Sequence, residues 1–259
     1  MITLLLTASL TFAQLSVQAD TDYAALLRDT VVYHSDGVAS EVDYAALKPR
    51  REQLRNVLDR LSAVSEETYD EWTEAEQLAF LINAYNAYTL ELILTAYPDL
   101  ESIRELGSLF RSPWKKAFFD LLDEPRSLDD VEHGMIREWF AEPRIHAAVN
   151  CASCGCPALL DEPFAADRLE QQLDGAMRKF LADPARNRWD PERETLFLSP
   201  LFDWYGGDFE DEAGSVWEYV QPYRAELGLP EDVLEEPRIR FTTYSWALND
   251  VKNCRAAVH

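Results

Sequence analysis

The stretch Arg144-Ile-His-Ala-Ala-Val-Asn-Cys-Ala-Ser-Cys-Gly-Cys-Pro157 holds three of the chain's four cysteines and one of its four histidines. Its apolar run, residues 145–149, reads as a short buried strand. Cys151, Cys154 and Cys156 follow where that strand would end. A strand end is where a rigid scaffold presents reactive groups. Helical patterns flank this segment on both sides, so the fold class is α+β.

Upstream, residues 22–29 predict a helix, and Asp36-Gly37 marks a turn. Residues 42–47 lead into a helix running to about Ala63, with Leu54, Val57, Leu58 and Leu61 at helical spacing. Thr73-Glu-Ala-Glu76 is a capping segment for a helix that Pro98 stops. Residues 118–122 read as a strand. Ser127-Leu-Asp-Asp130 caps a helix with Val131, Met135 and Trp139 on its apolar side. Downstream, residues 165–182 form an amphipathic helix with Leu169, Leu173, Met177 and Phe180 inward. Residues 195–198 and 239–244 are strand candidates. No repeat, low-complexity tract or linker interrupts this pattern. It predicts a helix-dominated single domain with a small sheet, over residues 20–259.

The formal net charge of -23 repels phosphates, which excludes nucleic acid and anionic membrane surfaces as partners. It describes a solvated acidic surface or, alternatively, a site for cations or cationic substrates. Residues 2–12 are an apolar or small-residue run, and Val17-Gln-Ala19 supplies a small-residue cleavage site. Residues 1–19 therefore read as a signal peptide, with the mature protein periplasmic or secreted. The most apolar later stretch, residues 78–97, contains Asn83, Asn86 and Glu91, so no integral membrane segment is expected after cleavage.

Asn83 and Asn86 sit three residues apart on an otherwise apolar helix and suggest a polar network. Such amides either tie down a loop or orient a catalytic group. Glu132-His133 follows Asp129 and Asp130, which are placed to hold the imidazole. The cysteines admit four readings: a disulfide staple, a nucleophilic thiolate, a C-x-x-C redox pair, or a metal site with His146. In the thiolate reading, His146 or His133 is the base. Trp246 and Asn249, just after the last strand, are placed to cover and hydrogen-bond a histidine, or simply to pack the chain end.

Taken in order, Val42-Asp-Tyr-Ala-Ala-Leu-Lys48, Leu81-Ile-Asn-Ala-Tyr-Asn-Ala87, Ser127-Leu-Asp-Asp-Val-Glu-His-Gly134, residues 144–153 with Cys156-Pro157, Leu201-Phe-Asp-Trp-Tyr205 and Tyr244-Ser-Trp-Ala-Leu-Asn249 resemble the DUF547 family, a domain of unknown function. The resemblance implies no settled activity. It does imply that Cys151 and Cys156 belong to the shared motif, while Cys154 and Cys254 are additions that pair with each other. Cys151 and Cys156 then form a second disulfide or stand as free thiols beside His146.

Two functional expectations follow. One is a thiol-centred hydrolase or acyltransferase, with Cys151 as nucleophile, His146 or His133 as base and Glu132 as orienter. Its polar partners are Asn83, Asn86 and Asn150. The other is a non-enzymatic, disulfide-stapled module that binds a peptide, protein or small-molecule ligand. No cofactor and no metal are expected in either.

Overall fold

The computed structural model describes residues 12–107 and 112–254. Most of the expected signal peptide, residues 1–11, lies outside the described residues. Helices dominate, and the sheets have two or three strands, so the fold is α+β as expected.

The first helix, Phe12–Thr30, leads into a hairpin of β1 (Val31–Tyr33) and β2 (Ser40–Val42), turned at the Asp36-Gly37 pair, where Gly37 has φ 74°. Helix Arg51–Ser62 follows and buries Leu54, Val57 and Leu58. Thr73 then caps the central helix, Glu74–Leu94. Its hydroxyl accepts the Glu76 N–H while the Glu76 carboxylate accepts the Thr73 N–H, which is the reciprocal cap predicted. Leu81, Ile82, Ala84, Ala87 and Ile93 are fully enclosed. A helix apolar on nearly every side belongs inside a core, not over one.

Two apolar cores result. The larger gathers around the central helix and takes in β3 (Phe119–Leu121), which pairs with β4 (Glu124–Arg126). The smaller is built on helix Leu169–Ala182, helix Gly206–Ala213 and a mixed sheet. In that sheet β5 (Arg188–Asp190) runs antiparallel to β6 (Thr195–Leu198), and β6 runs parallel to β7 (Arg238–Phe241).

Three expectations are corrected. Residues 145–149 are not a strand. Pro143 and the Glu142 carboxylate, which accepts the Arg144 N–H at 3.1 Å, start a tight helical turn, Pro143–Ala147. The run is apolar because it is buried on two sides: Ile145, Ala148 and Val149 enter the larger core and Ala147 the smaller. Trp139 does not share a face with Val131 and Met135, and is 48% exposed. The turn Asp130–Ile136 is wound wide, with the Arg137 N–H donating to the Glu132 carbonyl five residues back. A stripe set at 3.6 residues per turn loses its register there, and Ile136 is buried instead. Finally, helix Leu169–Ala182 starts later than residue 165, because the Gln172 side chain folds back to accept the Ala165 N–H at 2.8 Å.

Candidate active site

A cleft of about 230 Å³ opens where the two cores meet. Tyr85 and Val149 reach it from the larger core, and Leu201, Tyr205 and Tyr244 from the smaller. Cys151, Cys156, Glu132, His133 and His146 all line it. The four expected catalytic residues therefore share one cavity.

One wall rests on amides. Asn86 accepts the Asn150 N–H at 2.8 Å and donates to the Ala148 carbonyl at 3.0 Å. Asn150 donates to the Pro157 carbonyl and accepts both the Ala152 N–H and the Asn249 side-chain N–H. Asn249 then accepts the Tyr44 hydroxyl at 2.8 Å. Asn83 clamps the backbone of Phe164 through both its amide groups. Each buried amide is spent on a loop, the outcome that avoids the cost of an unpaired polar group.

That network shapes the cysteine loop. Ala152 is fully buried with φ 60°, a left-handed conformation costly for a residue with a Cβ. Its N–H is held by Asn150 and its carbonyl by the Asn249 N–H at 3.1 Å. Cys151 is bridged to Cys156, and Cys154 to Cys254. The second pairing is the one the resemblance implied, and neither the C-x-x-C redox pair nor a thiolate metal site is formed. Tyr244 lies beneath the loop. Its hydroxyl lies 3.1 and 3.2 Å from the sulfurs of Cys151 and Cys156, with a single proton to share between them. Its ring sits so close to Gly155 that a Cβ there would meet ring carbons at 2.9 Å.

The opposite wall is charged. Asp208 lies on helix Gly206–Ala213 and accepts two hydrogen bonds from Arg137, at 2.6 and 2.7 Å. Partial burial would push its carboxyl up, but hydrogen bonds and charge from His146 and Arg137 hold it far below the usual carboxylate range. An ionised Asp208 can only accept, so the 2.7 Å contact fixes the His146 proton on Nε2. Burial lowers the His146 pKa from its ordinary value, against the pull of Asp208 and Glu132, and the ring is neutral near pH 7. Its Nδ1 then carries a lone pair with no hydrogen-bond partner among the described residues, on a residue only 2% exposed.

Tyr205 covers this imidazole, stacked at 4.0 Å between ring centres, with the Arg137 guanidinium 5.0 Å from the Tyr205 ring centre. The Tyr205 hydroxyl donates to Glu132 at 2.9 Å, and the Tyr85 hydroxyl is a second partner of Glu132. Arg137 also donates to His133 Nδ1 at 3.0 Å, which leaves the His133 proton on Nε2, 3.9 Å from Asp129.

Several expected roles change hands. Glu132 orients tyrosines, not a histidine. Asp208 orients His146. Trp246 packs with Trp204 and Tyr244 instead of covering an imidazole, and Asn249 is taken up by the amide network. Among the described residues, neither His133 nor His146 is hydrogen-bonded to a cysteine sulfur. Asp208, Arg137, Tyr205 and Tyr244 were missed. Tyr205 and Tyr244 stood inside quoted motifs, and Arg137 lies one helical turn after His133. Asp208 carries no signal that separates it from its acidic neighbours.

The family model for DUF547, described as a protein of unknown function, matches residues 69–181. The matched segment spans the central helix and the whole cysteine motif. The match ends before Tyr205, Asp208 and Tyr244. No curated protein and no solved structure matches the chain.

Proposed function

We propose that the cleft is a thiol-centred active site of an exported protein, acting on an ester or amide once the Cys151–Cys156 bridge is reduced. The observation that carries this reading is His146: a buried neutral imidazole with an unused lone pair, oriented by Asp208, on a residue that lines the cleft holding Cys151. An external dithiol gives two electrons and two protons, opens the bridge and leaves as a disulfide. The freed Cys151 side chain turns toward His146, whose Nδ1 takes the thiol proton. The thiolate attacks the acyl carbon, and the leaving alcohol or amine takes the proton from His146. Water, or a second amine, then releases the acyl group. Export is supported by the apolar run of residues 2–12 and by two disulfides, which persist in oxidising compartments.

The test is iodoacetamide labelling before and after mild dithiol treatment, followed by assay of a panel of simple esters. The reading expects labelling at Cys151 only after reduction, with ester cleavage lost in Cys151→Ser. Reduced protein that labels at Cys151 no faster than a free thiol, and cleaves nothing, overturns it. N-terminal sequencing of the protein made in a secreting host tests export, with Asp20 expected first.

A second reading is the non-enzymatic binding module. What favours it is that all four cysteines are bonded, which leaves the cleft a rigid, aromatic-rimmed groove. Intact disulfides after the dithiol treatment, together with full ligand binding, would select it.

A further inference from the structure

The chemistry of the cleft walls specifies what enters. Apart from the His133 Nε2–H, which faces Asp129, its hydrogen-bonding groups are chiefly acceptors: the Glu132 carboxylate, the Asp129 carboxylate with Lys115 Nζ 3.9 Å away, and the unpartnered Nδ1 of His146. The Tyr244 hydroxyl points at the sulfurs, and those of Tyr85 and Tyr205 are directed at Glu132. Among the described residues, no lysine or arginine lines the cavity. The outer wall is aromatic. Trp204 stands 4.9 Å from Tyr244 and 5.8 Å from Trp246, ring centre to ring centre. Trp204 is 46% exposed, so much of its indole has no protein partner. This wall already attracts a cation, since the Arg104 guanidinium lies 5.2 Å from the Trp246 ring centre.

Acceptors, carboxylates and open π faces together complement one kind of group. It carries positive charge, offers N–H donors and is flat or small enough to lie on indole. We propose that the cleft binds a guanidinium or primary ammonium group of its substrate, with Trp204 against its face and Asp129 and Glu132 at its charge. The proposal deepens the thiol reading by naming the substrate class, an arginine- or lysine-like acyl compound. The chain's net charge of -23 draws such a cation in from solution.

The test uses two isosteric probes, N-acetyl-arginine methyl ester and N-acetyl-citrulline methyl ester, with N-acetyl-glutamate as the anion. Binding is followed by calorimetry and tryptophan fluorescence on Cys151→Ser protein, which cannot turn the esters over. The salt is set at 0.15 M, where surface attraction is largely screened beyond about 8 Å. The arginine ester is expected to bind at least tenfold more tightly than the citrulline ester, with no binding of the glutamate. Trp204→Ala and Asp129→Asn should each erase most of that preference, and both sites are open enough to leave folding intact. Equal binding of the two esters, or a preference that survives both substitutions, overturns the proposal. Turnover by the reduced wild-type protein separates the two readings. Arginine-selective binding without cleavage removes the thiol reading and leaves the cation site. Equal cleavage of both esters does the reverse.

Discussion

The two walls of the cleft are built on opposite plans. On the amide wall, Asn86, Asn150 and Asn249 have their partners within the fold, and even the left-handed Ala152 is pinned at both its N–H and its carbonyl. On the charged wall, the chain from Arg137 through Asp208 to His146 is tightly bonded at one end and stops at an open lone pair at the other. A satisfied network gives rigidity. An unsatisfied buried acceptor gives up stability. The contrast teaches that burial alone does not tell a spent polar group from an unspent one. His146 and Asn150 are both buried, and only one has anything left to offer.

The disulfides follow the same division, and the strongest test of the contrast lies there. Cys154–Cys254 spans 100 residues and ties the tail to the amide wall, whereas Cys151–Cys156 spans 5 and faces the cleft. By loop entropy, replacing Cys154 and Cys254 by serine should cost roughly 4–5 kcal/mol in urea unfolding, against about 2 kcal/mol for Cys151 and Cys156. Equal losses would break the comparison. Next in size, His146→Ala should slow alkylation of reduced Cys151 near pH 7 about 10²-fold, close to 2.7 kcal/mol in barrier. Asn150→Ala should leave that rate much less changed while lowering stability by about 2 kcal/mol, through the donors and acceptors it strands. A larger effect of Asn150 than of His146 on the rate would reverse the roles.

A smaller effect sharpens the charged wall alone. Burial sets the folded pKa of His146 below its ordinary value near 6.5. As pH falls through that value, the unfolded chain takes up the proton first, so stability is lost, at no more than about 1.4 kcal/mol per pH unit. The loss ends at the lower, folded pKa. Asp208, also depressed, contributes its own loss only below about pH 4. Urea unfolding at pH 8, 6.5 and 5.5 should show this slope, and His146→Phe should flatten it.

Much of the frame was legible in the sequence. Helix Arg51–Ser62 announces itself through Leu54, Val57 and Leu58, and Thr73 and Ser127 mark helix starts through local hydrogen-bonding chemistry that acts within a few residues. The cysteine motif and Glu132-His133 meet at one cavity, and Cys154–Cys254 followed from the resemblance. Residues 145–149 misled because a five-residue apolar run looks alike as a strand or as a turn squeezed between two cores. The wide turn at Asp130–Ile136 left no mark in hydrophobic spacing. Asp208 stayed hidden among Glu210, Asp211 and Glu212, since nothing local tells an acid that meets a buried imidazole from one that meets water. Such a distinction is made only by the packing of Gly206–Ala213 against Pro143–Ala147.

Gly155 carries a consequence for how this chain can change over time. Its requirement is spatial, not conformational: the neighbouring Tyr244 ring fills the place where a side chain would begin. Positions 155 and 244 are therefore bound into one unit of inheritance. A lineage that replaces the glycine must first trade the tyrosine for something slimmer, and with it surrender the hydroxyl that touches both sulfurs. Among relatives, the letter at one position should forecast the letter at the other, nearly ninety residues away along the chain.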